Sequence, residues 1–298
     1  MGDNQWEDGG GGGDSNWMSR LPEELLDVPL WNLAIPGSHD SMSFCLDLSS
    51  PVLGSEPFLL RLTDRLLPCW VRPCVYRWST TQQSVLWYQC ELGVRFLDLR
   101  IAKKPAGGST LFFAHGIYTL VTVTYSNAVF LLLIQSGSIK TLADVFPPWH
   151  GDKITLDYQH LAAPFLPKSL GCSRYADSPD PNKVISYLEE QQRHGRPDGF
   201  YVSGLNLTED ILYVLLHPLE NLRKMTTKGL SPLLHWTAKQ RPGPGGGGVN
   251  IVCCDFVSVS RFCSIVISLN FKLLESAIRT PSVTQLPPVL SPELDLLG

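Results

Sequence analysis

Three apolar runs in this chain end on residues that can do acid–base and phosphate chemistry. Residues 30–35 lead into Pro36-Gly37-Ser38-His39-Asp40, residues 94–99 carry Asp98 with Arg100 directly after, and residues 111–114 run into His115-Gly116. Cleaving a phosphodiester with an attacking hydroxyl needs a base for the nucleophile, an acid for the leaving oxygen and positive charge on the phosphoryl oxygens. Histidine suits both proton roles because its unperturbed pKa is near ~6.5. Arginine adds a fixed charge and a planar fork that matches two phosphate oxygens. Each histidine alone reads more readily as a residue satisfied by a turn or by the core; their common place at strand ends favours a shared site.

The elements that must position these residues alternate along the chain. Residues 1–16, with consecutive glycines from Gly9 to Gly13, read as a disordered Gly-rich tail. A first strand is expected to end at Ile35, stopped by Pro36-Gly37. A loop and short helix follow over 51–73, with the helix at 59–67. A second helical stretch covers 79–92, with Thr80, Thr81 and Gln82 near its start and Gly93 as C-cap. Residues 94–101 and 111–114 read as strands. The run 116–139 carries no charged residue; Ser126, Asn127 and several Thr and Tyr side chains dilute it and no basic cluster flanks it, so two buried strands are expected rather than a membrane span. Residues 164–181 read as loop. Helices are expected at 183–193, 210–216, 230–240 and 262–274, with strands at 200–202 and 249–256 and a disordered Pro-rich tail at 276–298. Repeated strand–helix units indicate an α/β parallel sheet, and the length suits a barrel.

Composition sets limits on function. The 298 residues, 44% hydrophobic and 17% charged, can bury one large core. A net charge of −4 and a pI near 6.0, without a basic stripe, argue against a nucleic-acid partner, so phosphate binding would be local to a site. The eight cysteines include no Cys-x-x-Cys pair and no zinc-finger spacing, so a thiolate metal site is not expected. No charged-then-apolar leader opens the sequence, and Trp6 stands where a myristoylation signal has Ser or Thr. Reduced thiols and a cytoplasmic location are therefore expected, with the sequon Asn206-Leu207-Thr208 unused.

Read together, Trp31-Asn32-Leu33-Ala34-Ile35-Pro36-Gly37-Ser38-His39-Asp40-Ser41, Gly93-Val94-Arg95-Phe96-Leu97-Asp98-Leu99-Arg100 and Phe113-Ala114-His115-Gly116 resemble the X domain of phosphatidylinositol-specific phospholipase C, in its small form without accessory domains. The stretches 183–188, 199–208 and 250–256 agree. The resemblance implies a distorted TIM (β/α) barrel over residues 17–275 that cleaves phosphatidylinositol between glycerol and phosphate. The inositol 2-hydroxyl would act as internal nucleophile and leave a cyclic phosphate. It further implies His39 as general base, His115 as general acid, Asp255 orienting His39, Asp40 doing the same for His115, and Arg100 and Asp98 at the phosphate and its attacking hydroxyl.

Two departures shape the expectation. Calcium-dependent members carry a second carboxylate on the second strand and Asn after the first histidine, where this chain has Arg100 and Asp40. A guanidinium in place of an acidic ligand implies a reaction with no metal and no cofactor. Residues 117–180 lack the strands that normally complete the barrel and hold the inositol ring. An incomplete barrel, a misplaced Asp255 and weakened activity are expected from that, with no assignable substrate-binding residues. The alternative is a catalytically impaired lipid-headgroup or protein-interaction module on the same fold. A glycerophosphodiester phosphodiesterase-like barrel would need a Glu-x-Asp pair that Asp98-Leu99-Arg100 does not supply. Transient contact with a membrane surface, as a peripheral association, follows from a lipid substrate.

Overall fold

The structure is a computed structural model that describes residues 14–104, 110–123, 172–174, 176–196, 199–217 and 219–279. The predicted second strand of the 116–139 run, residues 129–134, and most of both predicted tails lie outside the described residues.

A five-stranded, all-parallel sheet carries the fold. Its strands are β1 (Ile35–Ser38), β2 (Phe96–Leu97), β6 (Cys172–Arg174), β7 (Tyr201–Gly204) and β8 (Ile251–Cys254), in the order β2-β1-β8-β7-β6. The first and last strands of the chain are neighbours: Ile35 sits opposite Ile251 and Ser38 opposite Cys254. That pairing sets the N- and C-terminal halves side by side, and among the described residues the sheet does not close into a ring. Gly37 is required at this seam, because a Cβ there would come within 3.0 Å of the Phe96 ring and 3.2 Å of the Val252 carbonyl.

Leu33, Val94, Leu205, Leu233, Val252, Phe262 and Val266 belong to one buried apolar core. Two buried asparagines close it. Asn250 donates to the Leu30 and Leu33 carbonyls and accepts from the Tyr201 N–H, and Asn270 bonds both the N–H and the carbonyl of Ala34. Each replaces ladder partners that strand ends would otherwise lack.

The helices are α1 (Phe58–Leu66), α2 (Pro68–Ser79), α3 (Leu86–Glu91), α4 (Pro181–His194), α5 (Ile211–Leu216), α6 (Leu222–Lys239), α7 (Phe262–Ser268) and α8 (Lys272–Arg279). Side-chain caps fix three of their starts: Asp180 accepts from the Asn182 N–H, Asp210 from the Tyr213 N–H and Asn221 from the Lys224 N–H. The cap on Asn221 starts α6 eight residues before the expected Leu230, and the helix runs through Pro232. Helix α2, which lies beyond the short helix expected at 59–67, begins with Pro68 at its first position, where a missing N–H is harmless.

Several expectations are corrected. The first strand starts at Ile35, and Leu30–Asn32 is a 3-10 turn. The expected strand 94–101 splits into β2 and β3 (Ile101–Lys103), with Asp98-Leu99-Arg100 crossing between two sheets. β3, β4 (Leu111–His115) and β5 (Ile117–Thr122) form a separate antiparallel sheet, so His115 does not end a parallel barrel strand. The physical reason is connection length: the link from Lys103 to Leu111 is too short for a parallel crossover, which needs a dozen or so residues. Gly116, at φ +67°, turns β4 directly into β5. The stretch 164–181, expected as loop, contains β6. At the boundaries, Asp14–Asn16 forms a 3-10 turn inside the expected tail, tied down by Ser264 Oγ donating to Asp14 and by Arg95 donating to the Ser15 carbonyl. Helix α8 continues past residue 275 to Arg279.

Candidate active site

The C-terminal ends of the parallel strands converge on one place. His39 and Asp40 follow β1, Asp98 follows β2, Asn206 lies two residues beyond β7, and Asp255 follows β8 directly. Two residues here hold left-handed backbone conformations, Asp40 at φ +39° and Phe256 at φ +50°. Such a φ is uncommon outside glycine and rarer still for an aromatic, and it turns the chain sharply just after His39 and Asp255.

All six residues singled out in the sequence come together. His39 Nδ1 lies 2.7 Å from Asp255 Oδ1, and Asp255 is 1% exposed. A carboxylate at Nδ1 makes that nitrogen the N–H of the neutral ring, which leaves the Nε2 lone pair to accept from Arg100 Nη2 at 2.8 Å. Arg100 Nε is 3.0 Å from Asp40 Oδ1 and its Nη2 3.1 Å from Asp98 Oδ2. Asp40 Oδ2 stands between the two imidazoles, 3.2 Å from Nε2 of His39 and 3.3 Å from Nε2 of His115. His115 Nδ1 donates to the Ser79 carbonyl at 2.7 Å, so its Nε2 also faces the site. Asp255 is not misplaced: β8 pairs with β1 and presents it to His39.

Burial and charge separate the proton affinities of these groups. Burial opposes charge on His39, but Asp255, Asp40 and Asp98 outweigh it and its pKa lies above the ordinary 6.5. Burial pushes Asp40 up to about 7, with Asp98 adding to the rise and His39 and Arg100 opposing it. Burial, then the positive charge of His39 and Arg100, drives His115 down to about 3. Two groups in contact thus have widely separated proton affinities, a frequent mark of acid–base sites.

A layer of neutral side chains, not recognised in the sequence, fixes this geometry. Residues 80–85, expected as helix, are irregular, and the helix starts only at Leu86. Thr81 Oγ1 donates to the His39 carbonyl, and Gln82 Nε2 donates to the carbonyls of both His39 and Cys254. Gln82 Oε1 accepts from the Val257 N–H and the Thr81 carbonyl from the Phe256 N–H. These bonds tie the His39 turn to the Asp255 turn. Gln89 does similar work, accepting from Ser38 Oγ and donating to the Ser41 carbonyl.

A cleft of about 410 Å³ opens over His39, Arg100 and His115, with Glu56, Asp177, Asn206, Thr208 and Glu209 among its other polar lining residues. Asn206, seen in sequence only as a sequon, is buried, and its Oδ1 and Asp255 Oδ2 are buried without hydrogen-bond partners. Burial raises Glu209 to about 7. Among the described residues, His39, Asp40 and Asp98 also offer ligand atoms within 4.8 Å of one another. The Arg100 guanidinium contacts all three, so a divalent cation there would meet a fixed positive charge within its own ligand set.

This architecture is that of the bacterial phosphatidylinositol-specific phospholipases C. A mutant of the Staphylococcus aureus enzyme aligns with TM-score 0.53 at 15% identity, covering 86% of this chain and 96% of that one. Its pentafluoro-Phe form aligns with TM-score 0.50 at 16% identity, covering 86% and 97%. No protein-family profile matches the chain. Whole-chain relatives settle the family. PI-PLC X domain-containing protein 1 of Danio rerio is 40% identical over 299 residues, covering 86% of this chain and 96% of its own, and the Homo sapiens protein of that name is 35% identical over 309 residues, covering 88% and 94%. PI-PLC X domain-containing protein 3 of Danio rerio is 33% identical over 304 residues, covering 87% and 94%. The chain belongs to the PI-PLC X domain-containing proteins.

Proposed function

We propose that this protein is a phosphoric diester hydrolase of the phospholipase C type that cleaves phosphatidylinositol at a membrane surface by metal-independent acid–base catalysis. The observation that carries this reading is the pair of imidazole Nε2 atoms, 3.2 and 3.3 Å from one Asp40 oxygen, beside a guanidinium.

In this reading the phosphate enters between the rings and takes over the Arg100 contact now made to His39. His39 Nε2 removes the proton of the inositol 2-hydroxyl as its oxygen bonds to phosphorus, and Asp255 stabilises the imidazolium that forms. Arg100 carries the charge that gathers on the phosphoryl oxygens. The bond from phosphorus to the glycerol oxygen breaks, and that oxygen takes a proton from the Asp40–His115 pair. The products are a cyclic inositol phosphate and diacylglycerol; His39 then gives its proton to solvent or, when water deprotonated by the Asp40–His115 pair later opens the ring, to the departing 2-oxygen. Asp98 sits at the attacking hydroxyl. The unpartnered oxygens of Asn206 and Asp255, with Glu209, give the cleft polar groups for the ring hydroxyls.

Among the described residues no helix is long and apolar enough to cross a membrane. The proposed reading has the protein meet its lipid by peripheral association at a cytoplasmic membrane surface. Purified protein mixed with phosphatidylinositol vesicles should release diacylglycerol, and His39→Ala should not. Equal release by both would refute the mechanism, and no release by either would favour a headgroup-binding module.

A further inference from the structure

The lining of the cleft divides by chemistry. Arg100, His39 and His115 are the groups the proposed reaction assigns to the phosphate. The remaining polar lining comes from other loops: Glu56 ahead of α1, Asp177 after β6, Asn206, Thr208 and Glu209 between β7 and α5, and Asp255 after β8. Two atoms of this set, Asn206 Oδ1 and Asp255 Oδ2, are buried acceptors without a partner, on residues 4% and 1% exposed. A buried acceptor left unpaired is unfavourable, and a ligand hydroxyl in the cleft would satisfy it. A hydroxyl that donates to either atom still carries lone pairs, which call for a donor.

We propose that Glu209 is that donor: its carboxyl, in the protonated form, binds a hydroxyl of the inositol ring, and its ionisation weakens substrate binding without touching the chemical step. This rests on the phosphatidylinositol reading and deepens it by naming a residue that controls affinity. The surroundings keep the proton in place. Burial raises Glu209 to about 7, the charges of Asp255 and Glu56 add to the rise, and a hydrogen bond from its own backbone N–H opposes it. Glu56 is itself raised by burial. Asp177, His39, Arg100 and His115 complete the charged and titratable lining among the described residues. Below about 7 Glu209 is a neutral acid with an O–H to give. Above it the group is acceptor-only and adds a negative charge to a cleft that takes an anionic phosphodiester. Both changes oppose binding, so KM rises with pH. The alkaline fall in kcat belongs to a different group, the Asp40–His115 pair that supplies a proton, so the two parameters separate.

The test uses the full-length protein and two probes across roughly pH 6 to 8.5, a range that brackets an acid titrating near neutrality. Calorimetry follows binding of myo-inositol, which needs no turnover; initial rates on soluble short-chain phosphatidylinositol give KM and kcat separately. Over that range the parent should lose ~10-fold in affinity for myo-inositol and rise ~10-fold in KM, the size of one hydrogen bond together with its unpaired acceptor. Glu209→Gln, which keeps an N–H donor and cannot ionise, should flatten both. Glu56→Gln removes a negative neighbour, so the same change should set in at lower pH; a Glu209 that merely packed its loop would show no such shift. Parent-like melting temperatures would show that the variants fold, and the parent with Glu56→Gln decides the matter if Glu209→Gln does not. An affinity and KM independent of pH in the parent, or a parent-like profile in Glu209→Gln, overturns the proposal. Binding of myo-inositol with the expected pH dependence, by a protein that hydrolyses nothing, supports Glu209 and counts against the proposed activity. Turnover with a flat KM overturns the role of Glu209 and leaves the activity standing, and a protein that neither binds myo-inositol nor turns over lipid overturns both.

Discussion

Replacing Asp255 by Asn should damage catalysis far more than folding. The pair His39 Nδ1 and Asp255 Oδ1 is 2.7 Å apart and buried, and the backbone turn at Phe256 is held by Thr81 and Gln82 rather than by the Asp255 side chain. Asn keeps the shape and loses the charge. A buried hydrogen bond to a charged group contributes ~1.5–3 kcal/mol, so losing its charge while His39 becomes imidazolium should cost ~10–10² in kcat. If the Asn amide turns its NH2 toward Nδ1, the proton moves to Nε2 and the base is blocked, which can bring the loss to ~10⁴ as in the Asp-to-Asn change of a serine-protease triad. The sign of the pH effect is fixed as well. A general base works only when deprotonated, so activity falls as pH drops through the His39 pKa. Asp255 helps hold that pKa above 6.5, so without the carboxylate the acid limb of kcat/KM should move to lower pH. Initial rates on phosphatidylinositol in detergent micelles across pH would measure both effects. A kcat within about threefold of the parent, with the acid limb in place, would refute the role given to Asp255.

Three further outcomes are expected. His115→Ala should lose ~10²–10⁴ in rate on the natural lipid but recover on a substrate with an activated leaving group, whereas His39→Ala should stay inactive on both; equal rescue would reverse the assignment. Turnover should survive excess chelator, since Arg100 supplies the charge a calcium ion would, and loss in EGTA restored by calcium would contradict this. Asp40→Asn should lower activity yet melt at a higher temperature than the parent at about pH 8, by on the order of 1–3 kcal/mol after allowance for the lost Arg100 contact. Between 3.8 and about 7 the folded state holds a proton that the unfolded state has released, so this aspartate's contribution to stability falls as pH rises through that window. The advantage of the variant should therefore close as pH falls toward 3.8, and calorimetry at several pH values would show whether it does; a variant less stable at every pH would contradict it.

The residues proposed to do chemistry were legible because strand ends punctuate the sequence: an apolar run that stops on His39, Asp98 or Asp255 signals both the strand and what it presents. Their supports were not. Thr81 and Gln82 look like the start of a helix, and only the fold shows that their side chains serve the carbonyls of residues 39 and 254 instead. Asn206 carries no local signal beyond a sequon, since its role depends on β7 ending beside β8. The antiparallel sheet was hidden because the apolar runs of β3 and β4 read the same in either direction; the short link between them was the available clue. β6 is too short to show a period. The expectation that Asp255 would be misplaced failed for one reason: the closure it needs is the contact between β1 and β8, made by residues far from the atypical segment.

The central claim is that His39 uses a hydroxyl of the substrate itself as nucleophile. Phosphorus NMR of phosphatidylinositol vesicles during turnover tests it most directly. A cyclic phosphodiester signal should appear first and any linear inositol phosphate only later, and His39→Ala should give neither. A linear phosphate formed from the outset with no cyclic precursor, or phosphatidic acid as the phosphorus-containing product, would contradict the account.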